Sequence, residues 1–222
     1  MPEGDGPSIL VVCAHPDDEC LGAGGAIAVH ANAGIPVDVL CLTGNDTRNR
    51  ELKDAAHVLG VRHMYCSFRE DFDVDESLKR EVVDAILRSR PEIVITHSPM
   101  DYNRAHVTCS HLVDEAVEWA SHVTLYPDAH RVKRVYHMEI NSLHSRPQVM
   151  LDIGAVYGLV VKALRKHISQ MDKAEGYYLK FYDARTALRG VQSGCDRAEA
   201  FRIVLPEHAG PFYPKNATSR LV

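Results

Sequence analysis

A run of metal-binding and acidic side chains follows the first strand-like segment of the chain. His15 and Asp18 stand three residues apart on a tight turn fixed by Pro16, so an imidazole nitrogen and a carboxylate oxygen can converge on one cation. Both ligand types suit zinc. Asp17 lies between the two ligands and would face a water at the metal rather than the metal itself. The alternative is a charged surface turn that caps the following helix, since aspartate is common at helix starts.

A second candidate ligand follows the fourth predicted strand. The segment 96–106 indicates a strand end, a loop and a helix start, and His106 lies at its end. Because the carboxyl ends of parallel strands share one edge of a sheet, His106 could complete a set with His15 and Asp18. Three protein ligands and one open position form the arrangement of a catalytic zinc site. Taken alone, His106 is better explained as an ordinary histidine at a helix start.

Apolar strand-like runs alternate with amphipathic helical patterns in the first half of the chain. Strands are predicted at 8–13, 37–42, 62–66 and 92–97, and helices at 22–33, 48–59, 77–90 and 106–120. Later strands are predicted at 134–140, 148–153 and 199–204, and a later helix at 156–168. This order predicts an α/β fold of the Rossmann-like kind, with a mostly parallel sheet and helices on both faces.

Composition narrows the class of protein. The 222 residues, 45% hydrophobic and 25% charged, predict a single domain over 1–222 with a peripheral tail at 210–222. The net charge of −5 lacks the basic footprint of a nucleic-acid-binding domain. No apolar run approaches the roughly 18 residues needed for membrane insertion. The acidic start does not match a signal peptide, and the six scattered cysteines favour reduced packing residues, so we expect a cytoplasmic protein.

Several segments, in order along the chain, resemble the PIG-L/LmbE-like family of zinc-dependent N-deacetylases. The first is 14–19, with the sequence AHPDDE, which resembles the family signature. Arg48-x-x-Glu51 is similar to its second block, and Asp101 to His106 falls where the family has D-x-H-P-D-H. The sequences HISQ at 167–170 and AEAF at 198–201 resemble its later elements. The implied fold is a Rossmann-like α/β domain, in agreement with the pattern of elements.

The resemblance implies a metal-dependent hydrolase that removes an N-acetyl group from a small glycoside or glycoconjugate containing N-acetylglucosamine. His15, Asp18 and His106 would bind Zn²⁺ or another divalent ion. A water activated by the metal would attack the amide, with Asp17 as the general base. Glu19 would support the ligands or the helix start. The expected partner is a small-molecule amino sugar, with no nucleic acid or membrane, and a homo-oligomer is left open.

The resemblance also implies roles for residues beside the metal. Arg48 would face the substrate and Tyr177 would stabilise the transition state; the alternatives are a first-turn helix arginine and, for Tyr177 or Tyr178, a packing aromatic. In the family's H-P-D-H, Asn103 stands in place of the first histidine and Ala105 in place of the aspartate. Asn103 is expected to act catalytically as a neutral hydrogen-bond donor to an oxyanion, but it cannot release a proton.

The replaced histidine leaves the proton donor of the reaction open between Asp17 and another histidine such as His97. It also leaves open a non-catalytic sugar- or metal-binding member of the family, and a hydrolase of a different amide. The glycine-rich segment 21–25 raises dinucleotide binding as a further alternative. Its spacing is not G-x-G-x-x-G, and charged side chains occupy the place of the pyrophosphate. We therefore expect these glycines to let a helix pack closely on the sheet.

Overall fold

The computed structural model of the protein describes residues 8–204, and the predicted tail at 210–222 lies outside this range. Seven strands form one sheet: β1 (Ile9–Cys13), β2 (Val37–Cys41), β3 (His63–Cys66), β4 (Ile93–Thr96), β5 (Arg134–Met138), β6 (Val149–Asp152) and β7 (Ala198–Ile203). Their order across the sheet is β3-β2-β1-β4-β5-β7-β6. The first five strands pair in parallel, and β7 pairs antiparallel with β5 and with β6.

Helices cover both faces of this sheet. They are α1 (Asp18–Asn32), α2 (Asp46–Leu59), α3 (Glu76–Ser89), α4 (Arg104–Ala120), α5 (Tyr157–Leu164), α6 (Ile168–Met171) and α7 (Tyr177–Ser193). Short 3-10 turns precede α5 at Gly154–Val156 and α7 at Lys173–Gly176. The predicted α/β fold with a mostly parallel sheet is confirmed. Among residues 8–204, no helix is both long enough and apolar enough to cross a bilayer.

The central strand β1 contributes to two apolar layers. Ile9 and Val11 face the layer formed with α1, α2 and α5, whereas Leu10 and Val12 face the layer formed with α3 and α4. All four side chains are at most 3% exposed. A strand covered on both faces must be apolar at every position, and this explains why β1 lacks the alternation of a half-exposed strand.

The strand order creates a crevice at one edge of the sheet. After β1 the chain runs outward through β2 and β3, then returns past β1 to form β4 on its other side. Loops therefore leave β1 and β4 in opposite directions, and side chains at the carboxyl ends of these two strands face a common opening. Such switch points are where open α/β sheets bind ligands. The predicted metal ligands lie at the turn between β1 and α1 and in the first turn of α4, the helix that follows β4.

The glycines at the start of α1 allow the helix to approach its neighbours closely. A Cβ atom on Gly22 would overlap the side chain of Met138, and one on Gly25 would overlap Ile153. A Cβ on Gly24 would lie 2.6 Å from the side chain of Val160. The expectation of close packing is confirmed, and it places the second turn of α1 directly beside β5 and α5.

Candidate active site

The turn between β1 and α1 holds Asp17 in an unusual backbone conformation. Its φ is 117°, a value that side-chain-bearing residues rarely adopt and that clusters at functional sites. The Asp17 N–H donates to Glu19 Oε2 at 3.0 Å. The His15 N–H donates to Asp18 Oδ2 at 2.7 Å. The side chains of Asp18 and Glu19 therefore hold the backbone of the turn to which they belong.

His15, Asp18 and His106 lie together at the crevice. Asp18 Oδ2 is 3.3 Å from His15 Nδ1, and Asp18 Oδ1 is 3.3 Å from His106 Nε2. One ligand atom from each residue falls within 4.8 Å of the others. Ligands about 2.0–2.1 Å from a tetrahedral zinc are separated by about 3.3–3.4 Å. The donor types and their spacing therefore fit a divalent ion, with room for a further ligand.

Asp101 orients the His106 ring. Its Oδ2 lies 3.2 Å from His106 Nδ1, which leaves Nε2 to face Asp18. Asp101 also accepts the backbone N–H groups of Asn103 at 2.8 Å and Asn141 at 3.1 Å. Burial opposes a charged imidazole, but the Asp18 and Asp101 carboxylates outweigh it and raise the pKa of His106 to about 10. Carboxylates that hold a ligating histidine in this way tune metal sites.

His97 lies behind the site rather than in it. It is 1% exposed, its Nε2 accepts the Ala14 N–H at 2.9 Å, and its ring stacks on His106 at 4.0 Å. Burial and the neighbouring His106 charge lower the pKa of His97 to about 4. His97 is absent from the pocket wall. The sequence left the proton donor open between Asp17 and His97. Asp17 lines the pocket and His97 does not, so Asp17 is better placed for that role.

A second group of ligand-type side chains lies deeper in the protein. Glu19 Oε1 is only 2.7 Å from His167 Nε2, and Cys20 Sγ is 3.0 Å from the same carboxylate oxygen. All three residues are buried. A separation of 2.7 Å is that of a direct hydrogen bond and is too short for two ligands of one tetrahedral zinc. Burial raises the pKa of the Cys20 thiol well above its usual value, and a thiol that stays protonated is a poor metal ligand. We interpret this group as a hydrogen-bonded network.

A pocket of about 200 Å³ opens onto the candidate metal ligands, and Asp17 forms part of its wall. Arg48 also lines the pocket and donates to Asp17 Oδ1 at 3.3 Å and to the Pro16 carbonyl. Burial, and next the Asp18 carboxylate, raise the pKa of Asp17 to about 7 against the opposing charge of Arg48. Asp17 is therefore placed to accept and return a proton near neutral pH.

The other two predicted site residues differ in position. Asn103 lines the pocket, and its Oδ1 accepts the Ala105 N–H at 2.9 Å, so the same side chain caps α4. Tyr177 is 45% exposed and stacks on Phe181 with 5.8 Å between ring centroids. The pocket wall contains Tyr178 instead, one residue further along α7.

Five pocket residues were not predicted: Leu21, Ile140, Asn141, Gln170 and Tyr178. Gln170 belongs to the HISQ segment, and Tyr178 follows the tyrosine that the family resemblance indicated, so both carried a signal. Ile140 and Asn141 follow β5, whose carboxyl end lies beside that of β4. Their positions depend on the pairing of β4 with β5, and no residue type or spacing in the sequence indicates that pairing.

A larger polar cleft of about 530 Å³ adjoins the pocket. Arg48 and Gln170 line both cavities. The rest of the cleft wall consists of Asn45, the first residues of α2, Ser169 and Lys173. The shared residues make the two cavities neighbours, with the metal-ligand set at the deep end and the polar cleft toward solvent.

Comparison with known proteins relates the chain to one family. Residues 10–117 match the family model described as PIG-L: GlcNAc-PI de-N-acetylase. This range runs from β1 into α4 and contains His15, Asp17, Asp18, Asn103 and His106. The match thus covers both loops that form the candidate metal site.

Similar proteins align over most of the chain. A 4-oxalmesaconate hydratase from Pseudomonas putida is 30% identical over 214 residues, which cover 84% of this chain and 81% of the relative. A diacetylchitobiose deacetylase from Thermococcus kodakarensis is 26% identical over 228 residues, covering 91% and 85%. The crystal structure of the conserved protein TT1542 from Thermus thermophilus has a TM-score of 0.84 at 25% identity, covering 94% of this chain and 100% of that one. The chain belongs to the PIG-L family.

Proposed function

We propose that this protein is a zinc-dependent N-deacetylase that hydrolyses the acetamide of a small glycoside or glycoconjugate containing N-acetylglucosamine. The observation that carries the proposal is the arrangement at the crevice. His15, Asp18 and His106 present ligand atoms at metal-site spacing, and Asp17 stands beside them in the pocket wall without belonging to the set. The family match and the diacetylchitobiose deacetylase relative support the same chemistry.

Zinc suits the proposed ligands, because two imidazoles and one carboxylate form a three-ligand set with an open position. When bound there, zinc would polarise the acetamide oxygen and lower the pKa of a coordinated water. The Asp101 carboxylate would keep the His106 ring in the orientation that ligation requires. Another divalent ion would meet the same donors.

Asp17 carries the proton transfers in this proposal. Its carboxylate takes a proton from the attacking water as the new C–O bond forms at the acetamide carbon. The C–N bond then breaks, and Asp17 returns the proton to the leaving sugar amine, so that the products are the free amine and acetate. The contact with Arg48 Nη2 fixes the carboxylate orientation at 3.3 Å. Asn103 provides a neutral donor at the pocket wall, and Tyr178 takes the position expected for Tyr177.

The two cavities suit a substrate with a reactive sugar and a polar extension. A volume of about 200 Å³ lies below the range of about 300–1,000 Å³ that holds drug-sized ligands, so the pocket accommodates one sugar unit. The rest of the glycoside would lie in the polar cleft beyond Arg48 and Gln170. We propose that the chain forms a single domain, which acts in the cytoplasm on small amino sugars. The proposal holds for a monomer and for a homo-oligomer alike.

A hydratase is a second candidate. The 30% identical relative is named a 4-oxalmesaconate hydratase and aligns over most of both chains. Addition of water to a double bond involves no leaving amine, and Asn103 stands where the family resemblance leads one to expect a proton-donating histidine. The deacetylase assignment ranks first because the matching family model is described as GlcNAc-PI de-N-acetylase and another similar protein is a diacetylchitobiose deacetylase.

The deciding experiment compares both reactions in one zinc-loaded preparation. Amine release is measured with a panel of N-acetylglucosaminides that includes diacetylchitobiose, and hydration of 4-oxalmesaconate is followed by its ultraviolet absorbance. Amine release with no hydration supports the deacetylase. Hydration with no amine release replaces it by the second candidate. Zinc binding without either reaction indicates a binding protein of the same family.

Replacement of His106 by alanine is expected to remove most of the bound metal. The substitution deletes one of three protein ligands and leaves His15 and Asp18 to hold the ion alone. Metal per chain is measured by elemental analysis after dialysis against a mild chelator. His130→Leu serves as the matched control, because that ring bonds the Pro91 carbonyl at the other edge of the sheet. Wild-type metal content in His106→Ala would remove His106 from the ligand set.

The role of Asn103 is tested by separating its two functions. Asn103→Ala removes both the pocket amide and the cap of α4, and is expected to lower kcat about 10²-fold, as loss of an oxyanion donor does. Asn103→Ser keeps a capping oxygen on a shorter side chain. We expect the serine variant to regain stability but not turnover. Recovery of wild-type kcat in Asn103→Ser would show that Asn103 acts only as a cap.

A further inference from the structure

The segment 167–170 contacts the Asp17 turn through a buried histidine. His167 Nε2 lies 2.7 Å from Glu19 Oε1, and the other oxygen of this carboxylate accepts the Asp17 N–H at 3.0 Å. The His167 and Glu19 side chains are both 0% exposed. Among the side chains of residues 8–204, those of 174 and 175 not being described, His167 Nδ1 has no hydrogen-bond partner. The hydrogen bonding of this ring is therefore directed to the carboxylate that holds the backbone of Asp17.

The same segment also contacts α2, the helix that carries Arg48. The Ser169 N–H and Oγ donate to the two carboxylate oxygens of Glu51 at 2.8 Å and 2.6 Å. Glu51 lies three residues after Arg48 on α2, hence on the same face of that helix. Arg48 in turn donates to Asp17 Oδ1 at 3.3 Å. His167 therefore acts on the backbone nitrogen of Asp17 through Glu19, whereas Ser169 fastens the face of α2 from which Arg48 reaches the Asp17 carboxylate.

Asp17 needs such support. A left-handed φ of 117° in a residue with a side chain persists only where surrounding contacts fix it. Within the turn, Glu19 supplies the bond to the Asp17 N–H. Without His167, the second oxygen of Glu19 would keep only the weak thiol donor of Cys20. A buried polar pair is seldom better for stability than apolar residues of equal size, so its retention here favours a role in geometry.

We propose that His167 and Ser169 are positioning residues for Asp17. His167 holds the Asp17 backbone through Glu19, and Ser169 anchors through Glu51 the helix whose Arg48 orients the Asp17 carboxylate for proton transfer. Neither residue touches the reacting atoms in this proposal. The inference rests on the proposed function to the extent that Asp17 is the base. Its structural content, that His167 maintains the Asp17 turn, stands on the contacts alone.

The test compares His167→Leu with His167→Gln, which retains an N–H donor at similar reach. Misplacement of a reacting group by about 1 Å costs about 10²-fold in rate, so His167→Leu is expected to lower kcat by that factor. KM and zinc content should stay within about twofold of the wild type, because the substrate and metal contacts are unchanged. His167→Gln should recover most of kcat. The control His130→Leu removes a histidine ring remote from the turn.

A crystal structure of His167→Leu gives the readout that does not depend on turnover. We expect the φ of Asp17 to leave the positive region while Asp18 and His106 keep their places. A kcat within about threefold of wild type, no rescue by glutamine, or an unchanged Asp17 turn would each overturn the inference. If His167→Leu does not fold, Ser169→Ala is measured instead, with a fall in kcat at constant zinc content as the supporting result and unchanged kcat as the contrary one.

The proposed function and this inference fail in different ways. Absence of amine release by the zinc-loaded wild type would refute the function and leave the Asp17 backbone in the variant structure as the test of positioning. Amine release by the wild type with an unperturbed His167→Leu variant would refute the inference and leave the function in place.

Discussion

Asp17→Asn is expected to lower kcat by about 10²–10⁴-fold, the range that general acid–base catalysis contributes. The asparagine amide keeps the size and shape of the carboxylate but has no proton affinity near neutral pH. Metal content and the free energy of unfolding should stay close to those of the wild type, because Asp17 lies outside the ligand set. Turnover is followed by amine release, and metal by elemental analysis on the same samples.

A fall in kcat smaller than about tenfold would identify another base. Glu19 is the adjacent carboxylate, but it is 0% exposed and already bound to His167 and the Asp17 N–H. Glu19→Gln therefore serves as the companion variant. A large loss in Glu19→Gln together with a small one in Asp17→Asn would contradict the assignment of the base.

Arg189→Met is expected to destabilise the fold by about 3–5 kcal/mol, the usual cost of removing one partner of a buried ion pair. Arg189 Nε donates to Glu139 Oε2 at 3.0 Å, and Arg189 Nη2 contacts the other carboxylate oxygen. Their side chains are 4% and 2% exposed. The methionine leaves the Glu139 charge buried with its main partner gone. The free energy of unfolding is measured by denaturant titration.

A double variant distinguishes lost pairing from lost packing. Arg189→Met combined with Glu139→Leu removes both charges, and it should be more stable than Arg189→Met alone. Arg104→Met is the exposed control. It removes one partner of the ion pair between Arg104 and Asp73, whose side chains are 89% and 79% exposed, and its effect on stability should be far smaller. A double variant that is less stable than the single one by the full cost of Glu139→Leu would contradict the ion-pair explanation.

The parallel core could be predicted because its signal is local. Apolar runs such as that of β1 and helical patterns such as that of α3 are complete within short windows of sequence. The observed helix ends differ from the predicted ones where capping side chains determine them. Helix α2 begins at Asp46, not at the predicted residue 48, because the Asn45 side chain accepts the Arg48 N–H at 3.0 Å. The predicted helix at 156–168 divides, since α5 ends at Leu164 and α6 begins at Ile168.

Helix α7 was not predicted, and its buried face explains why. That face contains Tyr182, Arg185, Thr186, Arg189 and Gly190, so the residues that enter the core are largely polar. A search for apolar residues at helical spacing does not detect such a helix. These arginines are satisfied by carbonyls and a carboxylate of distant segments, which no local pattern reveals.

The candidate site, like the fold, could be predicted in part. His15 and Asp18 share one turn, so their convergence could be predicted from spacing, and His106 could be added from the rule that sites gather at strand ends. Asn141 could not be predicted, because its approach to Asp101 at 3.1 Å depends on a loop that follows β5. Tyr178 lies in the pocket wall and Tyr177 is exposed because helix phase, not sequence position, selects the side chain that faces the site.

Titration of metal-depleted protein with zinc tests the central claim most directly. Amine release from an N-acetylglucosaminide that the wild type hydrolyses is measured against zinc bound per chain. We expect no turnover without metal, a linear rise with occupancy, and a plateau at one ion per chain. Turnover by the metal-free protein, or one zinc bound per chain with no amine release from any member of the panel, would contradict the account.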